Sequence, residues 1–481
     1  MMSMREPFFA KLPRPPRVDL AGKRVLVLGL GDSGLSAAKW IAREGGLPRV
    51  ADTRASPPRA AALVAEVPHA ELIAGGFAPE LLDGVELVCV SPGLSLGEAP
   101  VQDARARGIP VLGDIELFAW RVRAERLGKI IAVTGTNGKT TVTSLMGHLL
   151  RTAGIDCEVA GNIGPAALEA LIRRLEEGRM PAVWVLEVSS YQLETTFSLE
   201  PDAAVMLNLS EDHFDRYAGL EAYGAAKARI FQGQGVQVLN RDDPHSAALA
   251  LPGRARLTFG LGTPPGPEDF GLVAVGGQTW LAQGGNAILE ARALQIHGWH
   301  NVSNALAAAA LARALGVPLA ALAKGLAGFR GLPHRLQRVR EHRGVTWYDD
   351  SKGTNVGATI AALGGIAGAG RAREPRHQVL LIAGGEGKGQ DFGALAAPVT
   401  ECARRVLLIG RDAGLIERAL APSGVLLERC ASLEDAVASA ATHALPGDVV
   451  LLSPACASFD MFRDYKHRGE VFAASVLALG D

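Results

Sequence analysis

The fold of this chain is decided by the stretch Lys129-Ile-Ile-Ala-Val-Thr-Gly-Thr-Asn-Gly-Lys-Thr-Thr141, in which an apolar strand runs directly into a glycine turn that ends in Lys-Thr-Thr. Gly135 and Gly138 can adopt backbone angles closed to other residues and leave room for main-chain N–H groups to face a phosphate. Lys139 adds a positive charge for the β- and γ-phosphates, and the Thr140 hydroxyl can ligate Mg²⁺ at the start of the following helix. The stretch therefore indicates bound ATP or GTP, with an ordinary glycine turn before a helix as the alternative.

Predicted nucleotide contacts extend along this whole loop. The usual phosphate-loop pattern has its first glycine where this chain has Val133, but strand, Gly-x-x-Gly-Lys-Thr and helix follow in the expected order. We assign to ATP binding the residues Gly135, Thr136, Asn137, Gly138, Lys139, Thr140 and Thr141.

Length and composition predict several compact domains. A chain of 481 residues exceeds what one hydrophobic core normally organises. Its 48% hydrophobic and 21% charged residues supply enough apolar material for several cores and do not suggest extended disorder. We divide the chain into residues 1–121, 122–331 and 332–481.

Charge and cysteine content exclude several classes of protein. The net charge is −1, from 49 basic and 50 acidic residues, so no overall field favours nucleic acid or an anionic membrane. No apolar run reaches the ~18 residues of a membrane span, and Met1–Pro16 lacks the apolar core of a signal peptide. Five scattered cysteines form no Cys-x-x-Cys pair. We expect a monomeric cytoplasmic protein with reduced thiols.

The first unit alternates short apolar runs with helical patterns, which is typical of an α/β domain. A strand from Arg24 leads into Gly29-Leu-Gly31-Asp-Ser-Gly34 and a helix from Leu35, and Asp52 closes the next strand. A glycine loop followed about 20 residues later by an acid is the layout of a dinucleotide fingerprint. NAD is one of the ligands that such a loop can hold.

Strand patterns recur in the other two units. The continuous apolar runs typical of buried parallel strands are found at Lys129–Val133, Val183–Glu187, Ala203–Leu207, Val345–Tyr348, Gln378–Ile382, Arg405–Ile409 and Val449–Leu452. We therefore predict an α/β protein of three domains, with a Rossmann-like first domain, a central P-loop ATPase-type domain and a Rossmann-like third domain. The interval Gly364–Pro375, rich in Gly, Ala and Arg, is expected to form a flexible surface loop.

Several ionisable residues follow the strands of the second unit. Glu187 closes an apolar strand, where an acid can hold the magnesium that bridges nucleotide phosphates or simply face solvent. His213 lies in an acidic cluster, as a second metal ligand or as part of a solvated loop. Lys227 sits on a helix of small and apolar residues. A lysine with a lowered pKa can react with carbon dioxide to give a carbamate, whereas a surface lysine would extend into water.

Two further groups of polar residues point to the nucleotide and to a shared crevice. Asn301 and Asn304 lie three residues apart on one helical face, where they can read an adenine edge or cap the helix. Three polar loops follow predicted strands of the third unit, beginning at Tyr348, Gly384 and Ser453. Because the carboxyl ends of parallel strands meet at one edge of a sheet, these loops predict one crevice.

The motifs together resemble the Mur ligase superfamily across nearly the full chain. Those shared with the superfamily are Thr134-Gly-Thr-Asn-Gly-Lys-Thr-Thr141, Glu187-Val-Ser-Ser190, Glu211-Asp-His213, His300-Asn-Val-Ser-Asn304 and Asp350-Ser-Lys352. Further motifs resemble the branch that joins D-glutamate to UDP-N-acetylmuramoyl-L-alanine: Gly29-Leu-Gly31-x-x-Gly34, Asp52-Thr-Arg54, Ser91-Pro-Gly93, Gly113-Asp-Ile-Glu-Leu-Phe118, Gly161-Asn162-Ile-Gly164 and Ser453-Pro-Ala-Cys-Ala-Ser458.

This resemblance implies roles for individual residues. It makes the first domain a UDP-sugar site rather than an NAD site, with contacts from Gly31, Asp32, Ser33, Thr53, Arg54, Ser91 and Asn162. It adds Asn304, Arg335 and Asp350 to the ATP site, and it places Thr354, Lys388, Ser458, Phe459 and Tyr465 around D-glutamate. It implies two Mg²⁺ ions held by Thr140, Glu187, His213 and a carbamylated Lys227, and catalytic roles for Lys139, His213, Lys227 and Lys352. Phe459 stands where the resemblance leads us to expect a smaller aliphatic residue.

The implied reaction is an ATP-dependent amide synthesis in peptidoglycan precursor formation. The substrate carboxylate would be phosphorylated by ATP to an acyl phosphate, which the D-glutamate amine would attack, with release of ADP and phosphate. A sister ligase for another amino acid is an alternative, and so is a folylpolyglutamate synthetase, which lacks such a first domain. An NAD-dependent dehydrogenase would leave Lys139 unexplained, and a nucleotide-gated binding module would bind ATP without forming an amide.

Overall fold

The first parallel sheet lies at the N-terminal end of the chain. The computed structural model describes residues 15–214, 216–367 and 379–480. The sheet has the order β3-β2-β1-β4-β5, with strands β1 Arg24–Leu28, β2 Leu47–Asp52, β3 Glu71–Ala74, β4 Leu87–Val90 and β5 Val111–Leu112. Its helices are α1 Asp32–Arg43, α2 Ala60–Glu66, α3 Ala99–Ala106 and α4 Asp114–Glu125. The carboxyl ends of β1 and β4, which are neighbours, present the predicted glycine loop and the Ser91 turn side by side.

The second parallel sheet contains the decisive strand at its centre. Its order is β11-β10-β9-β6-β8-β7, with β6 Lys129–Thr134, β7 Cys157–Gly161, β8 Val183–Glu187, β9 Ala203–Met206, β10 Val236–Asn240 and β11 Arg256–Phe259. The helices are α5 Lys139–Thr152, α6 Ala167–Glu176, α7 Ser190–Glu194, α8 Leu220–Ala228, α9 Pro244–Ala248, α10 Trp299–Ala314 and α11 Leu319–Gly328. Since β6 lies between β8 and β9, the loops after these three strands meet at one point.

A small antiparallel sheet in the second unit was not predicted. Its strands are β12 Phe270–Val275, β13 Gln278–Gln283 and β14 Asn286–Glu290. Gly276 and Gly277 join the first two strands, with φ values of 58° and 79°. A two-residue turn with both φ values positive favours glycine, so this Gly-Gly pair was a hairpin signal in the sequence.

The third sheet has its last strand in the middle. The order is β15-β16-β20-β17-β18-β19, with β15 Gln337–His342, β16 Val345–Asp349, β17 Val379–Gly384, β18 Ala403–Ile409, β19 Leu426–Arg429 and β20 Val449–Leu452. Only the edge pair of β15 and β16 is antiparallel within the described part of this sheet. The helices are α12 Val356–Ala367, α13 Ala396–Cys402, α14 Ala413–Leu420, α15 Leu433–His443 and α16 Tyr465–Leu477.

The predicted fold class is confirmed, and one predicted loop is partly wrong. The chain has mixed α/β architecture with parallel sheets, as expected from the apolar strand patterns. Gly364–Ala367 were predicted to be loop, but they complete α12, because the preceding helical pattern continues through them. The rest of that predicted loop, from residue 368 to residue 375, lies outside the described residues, as does most of Met1–Pro16. Within the described ranges, no helix has both the length and the apolar character needed to cross a membrane.

A buried carboxylate joins the first and second sheets. Glu116 of α4 is fully buried and accepts hydrogen bonds from Phe197 N at 2.6 Å, Ser198 N at 2.8 Å and Trp120 Nε1 at 2.7 Å. Next to it, Phe118 packs edge-on against Trp184 with a ring-centroid distance of 5.1 Å. The motif that carried part of the resemblance therefore forms a packed junction between the first two units.

A buried guanidinium holds two loops of the third unit together. Arg468 of α16 is fully buried and donates to Ser351 O at 2.8 Å, to Cys456 O at 3.1 Å and to Ala457 O at 3.3 Å. Burial lowers the pKa of Arg468 to about 10. These bonds connect the loop after β16 with the loop after β20, so α16 fixes the spacing of both loops.

Replacing this guanidinium should destabilise the protein. In Arg468→Met the carbonyl oxygens of Ser351 and Cys456 lose their donor and that of Ala457 loses one of two, which should cost about 3 kcal/mol of unfolding free energy. Urea denaturation followed by circular dichroism would measure this as a lower midpoint. Arg463→Met, an exposed position in the same segment, serves as the matched control. Equal midpoints for the two variants would contradict the assignment.

Candidate active site

The phosphate loop lies between β6 and α5, as predicted. Gly138 has φ of 84°, and a Cβ atom there would lie 2.5 Å from Asn304 Oδ1. Glycine is therefore required by both backbone and space. Lys139 folds back over the loop and donates from Nζ to Gly135 O and Thr136 O, each at 2.8 Å. Burial lowers the pKa of Lys139.

A cleft beside the phosphate loop, here called the phosphate cleft, is lined by Lys139 and Glu187. Within this cleft, one carboxylate oxygen of Glu187 has no hydrogen-bond partner. The residue closes β8 and is 2% exposed. Its Oε1 accepts from Asn162 Nδ2 at 2.8 Å, while Oε2 is buried and has no hydrogen-bond partner. Thr140 lines the cleft together with Glu187. A buried, unpaired carboxylate oxygen in a cleft that a threonine also lines suits a hard divalent cation, which prefers oxygen ligands.

The protein supplies only part of a coordination sphere. Among the described residues, no group of three or more His, Cys, Asp and Glu side chains could hold a metal ion. A magnesium ion in this cleft would therefore be completed by phosphate oxygens and water, as Mg²⁺ sites at nucleotides commonly are. The residues present fit that arrangement.

Lys227 lies inside the protein, so the surface alternative is wrong. Its side chain is 1% exposed, and Nζ donates to Gly135 O at 2.9 Å and lies 4.5 Å from the centre of the Tyr223 ring. Burial, with the nearby positive charge of Lys139, lowers the pKa of Lys227 well below its ordinary value. A neutral amine is the form that reacts with carbon dioxide.

His213 lines the cleft between two tyrosines. Its ring lies 4.9 Å from Tyr191 and 6.0 Å from Tyr223, measured between ring centroids. Its backbone has φ of 59°, an uncommon conformation for a residue other than glycine that is often found at functional sites. Burial lowers the pKa of His213, which favours the neutral imidazole that can bind a metal.

A second cavity adjoins the phosphate loop and is lined by the predicted nucleotide contacts Asn304, Arg335 and Asp350. Asn301 and Asn304 do not cap α10, because that helix begins after Gly298. Asn304 Nδ2 instead donates to Asn301 Oδ1 at 3.1 Å. Burial raises the pKa of Asp350 to about 7. Among the other loop residues, Asn137 and Thr141 also line this cavity.

The third unit contributes cations to the phosphate cleft. Lys352, Thr354, Lys388 and Tyr465 line it together with Lys139. Lys352 Nζ lies 4.0 Å from the centre of the Tyr465 ring, and burial lowers the pKa of Lys352 to about 8. Two of the three predicted loops thus bring residues to this cleft.

Ser458 and Phe459 do not line the cleft. Ser458 is buried, and Phe459 is 68% exposed. The third predicted loop therefore supports the cleft from outside through Arg468 rather than by these two side chains.

The residues predicted for the UDP-sugar lie at the first sheet. Gly31, Asp32, Ser33, Thr53, Arg54 and Ser91 follow the carboxyl ends of β1, β2 and β4 and are not among the residues that line the phosphate cleft, whereas Asn162 is. Asp52, the acid of the fingerprint, accepts from Leu30 N at 2.7 Å and from Arg54 Nη2 at 2.6 Å. Its carboxylate is thus occupied within the protein, so the NAD alternative loses its ribose ligand.

Two sets of hydrogen bonds between units were not predicted from the sequence. Arg216 donates to Pro92 O at 3.1 Å and to Glu194 at 2.7 Å, linking the first sheet to the second. Asn355 Nδ2 donates to Asn137 Oδ1 of the phosphate loop at 3.2 Å and to Asp212 Oδ2 at 3.3 Å. The sequence around Arg216 and Asn355 contains no local pattern that predicts contacts with partners so far away in the chain.

Comparison with known proteins covers almost the whole chain. Three family models match: the Mur ligase MurD-like N-terminal domain at residues 23–113, the Mur ligase middle domain at 133–312, and the Mur ligase glutamate ligase domain at 334–456. A curated relative from Nitrosospira multiformis, named UDP-N-acetylmuramoylalanine–D-glutamate ligase, is 54% identical and covers 96% of this chain and 97% of its own. A relative of the same name from Nitrosomonas europaea is 50% identical over 95% of this chain and 97% of its own.

Solved structures show the same fold at lower identity. MurC from Thermotoga maritima has a TM-score of 0.57 at 19% identity, covering 95% of this chain and 99% of its own. MurF from Acinetobacter baumannii has a TM-score of 0.59 at 17% identity, covering 95% and 93%. Because family models match within all three units and relatives at about half identity cover nearly the full length, this chain belongs to the Mur ligase family.

Proposed function

We propose that this protein is the ATP-dependent ligase that joins D-glutamate to UDP-N-acetylmuramoyl-L-alanine in peptidoglycan precursor synthesis. Ligases of this family depend on ATP and generally on magnesium. The observation that carries the proposal is one cleft in which the phosphate loop, the unpaired oxygen of Glu187 and the third-unit lysines Lys352 and Lys388 meet. The relatives at about half identity bear the name of this reaction.

The chemistry begins with a carboxylate that an amine cannot attack. The terminal carboxylate of the UDP-sugar substrate attacks the γ-phosphorus of ATP, and ADP leaves, so that the carboxylate oxygen becomes part of a good leaving group. Lys139 stabilises the negative charge on the transferring phosphoryl group. We assign the adenosine end of ATP to the second cavity, with Asn304, Arg335 and Asp350, and the phosphates to residues 135–141.

Magnesium would be held by Thr140 and Glu187, where it neutralises charge on the phosphates. We assign a second ion to His213 and to Lys227 in a carbamylated form. Two observations support the carbamate: burial that lowers the pKa of the amine, and the positive charge of Lys139 nearby, which would stabilise the anion formed.

The remaining substrates are assigned to the two outer units. The UDP-sugar would bind at the first sheet through Gly31, Asp32, Ser33, Thr53, Arg54 and Ser91, with Asn162 at the reacting end of the substrate. D-Glutamate would bind through Thr354, Lys388 and Tyr465, with Lys352 near the reacting phosphate. We keep Ser458 and Phe459 in this assignment as residues that would have to turn toward the cleft when substrate binds, since neither lines it now.

We further propose the division into residues 1–121 for the UDP-sugar, 122–331 for ATP and 332–481 for the amino acid. Each domain then delivers one reactant to the shared cleft, and closure excludes water from the acyl phosphate. Five free cysteines are consistent with a reducing cytoplasm.

Glutamate-dependent ADP release tests this function. We expect ADP to form from ATP, Mg²⁺ and UDP-N-acetylmuramoyl-L-alanine only when D-glutamate is added, with one amide product for each ADP. L-Glutamate, L-lysine and meso-diaminopimelate serve as controls for a ligase of other specificity. Absence of turnover with D-glutamate in a folded, Mg²⁺-supplied sample would reject the proposal.

A further inference from the structure

A histidine in a strained conformation lines the cleft beside the D-glutamate residues. His334 precedes β15 and has φ of 60°, in the left-handed region that disfavours side chains. Its ring is 15% exposed and lines the cleft with Lys352, Lys388 and Tyr465. The ring lies edge-on to Tyr465, with 6.2 Å between centroids. A residue held in a costly backbone conformation at a cleft is a candidate for function.

The orientation of the ring is fixed at Nδ1. His334 Nδ1 lies 2.7 Å from Asp349 Oδ2, and Asp349 is held in turn because its Oδ1 accepts from Ser351 N at 2.9 Å. At the same nitrogen, a Cβ atom on Gly469 would lie 2.2 Å from His334 Nδ1 and 2.8 Å from Asp349 Oδ2, so glycine at this position leaves room for the pair. A carboxylate at Nδ1 holds the proton on that nitrogen and leaves the lone pair on Nε2.

The charges around the ring favour proton uptake. The hydrogen bond that His334 donates to Asp349 raises the pKa of His334 above its ordinary value of 6.5, opposed by partial burial. From α16, Glu470 also raises it, and Lys466 lowers it. Two further positive charges, those of Arg335 and Lys352, line the same cleft as His334.

The proposed reaction needs such a group. An amino acid arrives with its amine as an ammonium ion, which has no lone pair for attack on the acyl phosphate. We propose that His334, oriented by Asp349, is the base that takes this proton from D-glutamate. The inference rests on the proposed function and adds a catalytic residue to it.

The proton balance is complete without another reactant. The D-glutamate ammonium gives one proton to His334 Nε2, and the freed amine forms the C–N bond to the acyl carbon. The C–O bond to phosphate then breaks, and the second proton from nitrogen leaves with the phosphate. The imidazolium returns its proton to solvent before the next turnover.

A comparison of two nucleophiles tests this role. Hydroxylamine is a weaker base that is already unprotonated at neutral pH, so it can trap the acyl phosphate as a hydroxamate without a base. In His334→Gln we expect amide formation with D-glutamate to fall about 10²–10⁴-fold, while hydroxamate formation stays at the wild-type rate. His443→Gln, outside the cleft in α15, is the matched control and should change neither rate.

Asp349→Asn tests the positioning residue. The amide nitrogen can donate to Nδ1, which moves the imidazole proton to Nε2 and removes the lone pair, so this variant should show the same split between nucleophiles. If both variants lost equal factors in the rates of amide formation with D-glutamate and of hydroxamate formation with hydroxylamine, the proposal would be overturned in favour of a structural role. Unchanged D-glutamate turnover in His334→Gln would also overturn it. Failure of the wild-type enzyme with D-glutamate would instead reject the proposed function.

The pH profile gives an independent readout. The base works only when unprotonated, so kcat/KM for D-glutamate should fall as the pH drops through the pKa of His334, which Asp349 places above 6.5. Hydroxamate formation by the wild-type protein should lack this acidic limb. A limb of the same size with both nucleophiles would contradict the assignment.

Discussion

Lys139→Ala should reduce ADP release by about 10²–10³-fold, the cost of removing one preorganised charge from a developing anion. Lys139 is the residue whose Nζ closes over the phosphate loop, on Gly135 O and Thr136 O. Its loss removes the positive charge that faces the transferring phosphoryl group. It also takes one donor from Gly135 O, which keeps Lys227 Nζ, and the Lys139 donor from Thr136 O. The rate of ADP release with all three substrates, measured in a coupled assay, gives the effect directly.

Lys129→Ala is the matched control for this change. Lys129 begins the same strand that leads to the loop, but it is exposed at the far end of β6. We expect turnover of this variant to equal that of the wild-type protein. Binding of UDP-N-acetylmuramoyl-L-alanine to Lys139→Ala, measured by calorimetry, should also be retained, because the assigned UDP-sugar residues lie at the first sheet. Turnover of Lys139→Ala within tenfold of the wild type would contradict the assigned role.

Lys227→Ala should lose most of its activity and recover part of it when short carboxylic acids are added. The wild-type side chain is buried, with Nζ near Gly135 O, so truncation leaves an internal space beside the phosphate loop. Acetate or propionate can enter this space and supply the carboxylate that the carbamate would provide. We expect about 10²-fold loss, the typical effect of removing a ligand's support at a metal site, and a saturable recovery with acid concentration.

Lys227→Met separates the carbamate from simple packing. Methionine fills much of the space of lysine, so this variant should be inactive without rescue by acids. A ¹³C carbamate signal from the wild-type protein in labelled carbon dioxide, absent from both variants, would support the modification. Full activity of Lys227→Ala, or loss without any rescue in a folded sample, would reject it.

Local patterns in the sequence predicted the parts of the fold that local chemistry determines. The stretch from Lys129 to Thr141 combines strand, glycine turn and helix within a few residues, and the structure has all three there. Glu187 was identified as the end of a buried strand and is one. Such features depend on neighbours in the chain, so the sequence alone contains their signal.

The missed features depend on contacts between distant parts of the chain. His334 gains its orientation from Asp349 and from the missing Cβ of Gly469, and Asn355 reaches the phosphate loop from another sheet. Arg468, for which no role was predicted, is buried among carbonyl oxygens of loops that follow β16 and β20. The alternatives for Lys227 could be separated only by its burial, which the helical pattern did not determine because its neighbours are small.

The placement of β20 in the middle of the third sheet determines when the active site can form during protein synthesis. The strands β15–β16 and β17–β19 emerge from the ribosome first, but β20 is the strand that pairs with both β16 and β17. Domains generally fold as units while the chain grows, and the sheets that carry the phosphate loop and the glycine loop are complete by Phe259. A chain interrupted before Val449 therefore has its nucleotide loop but lacks the strand that unites the amino-acid side of the cleft. The catalytic assembly is therefore completed only after β20 has been translated.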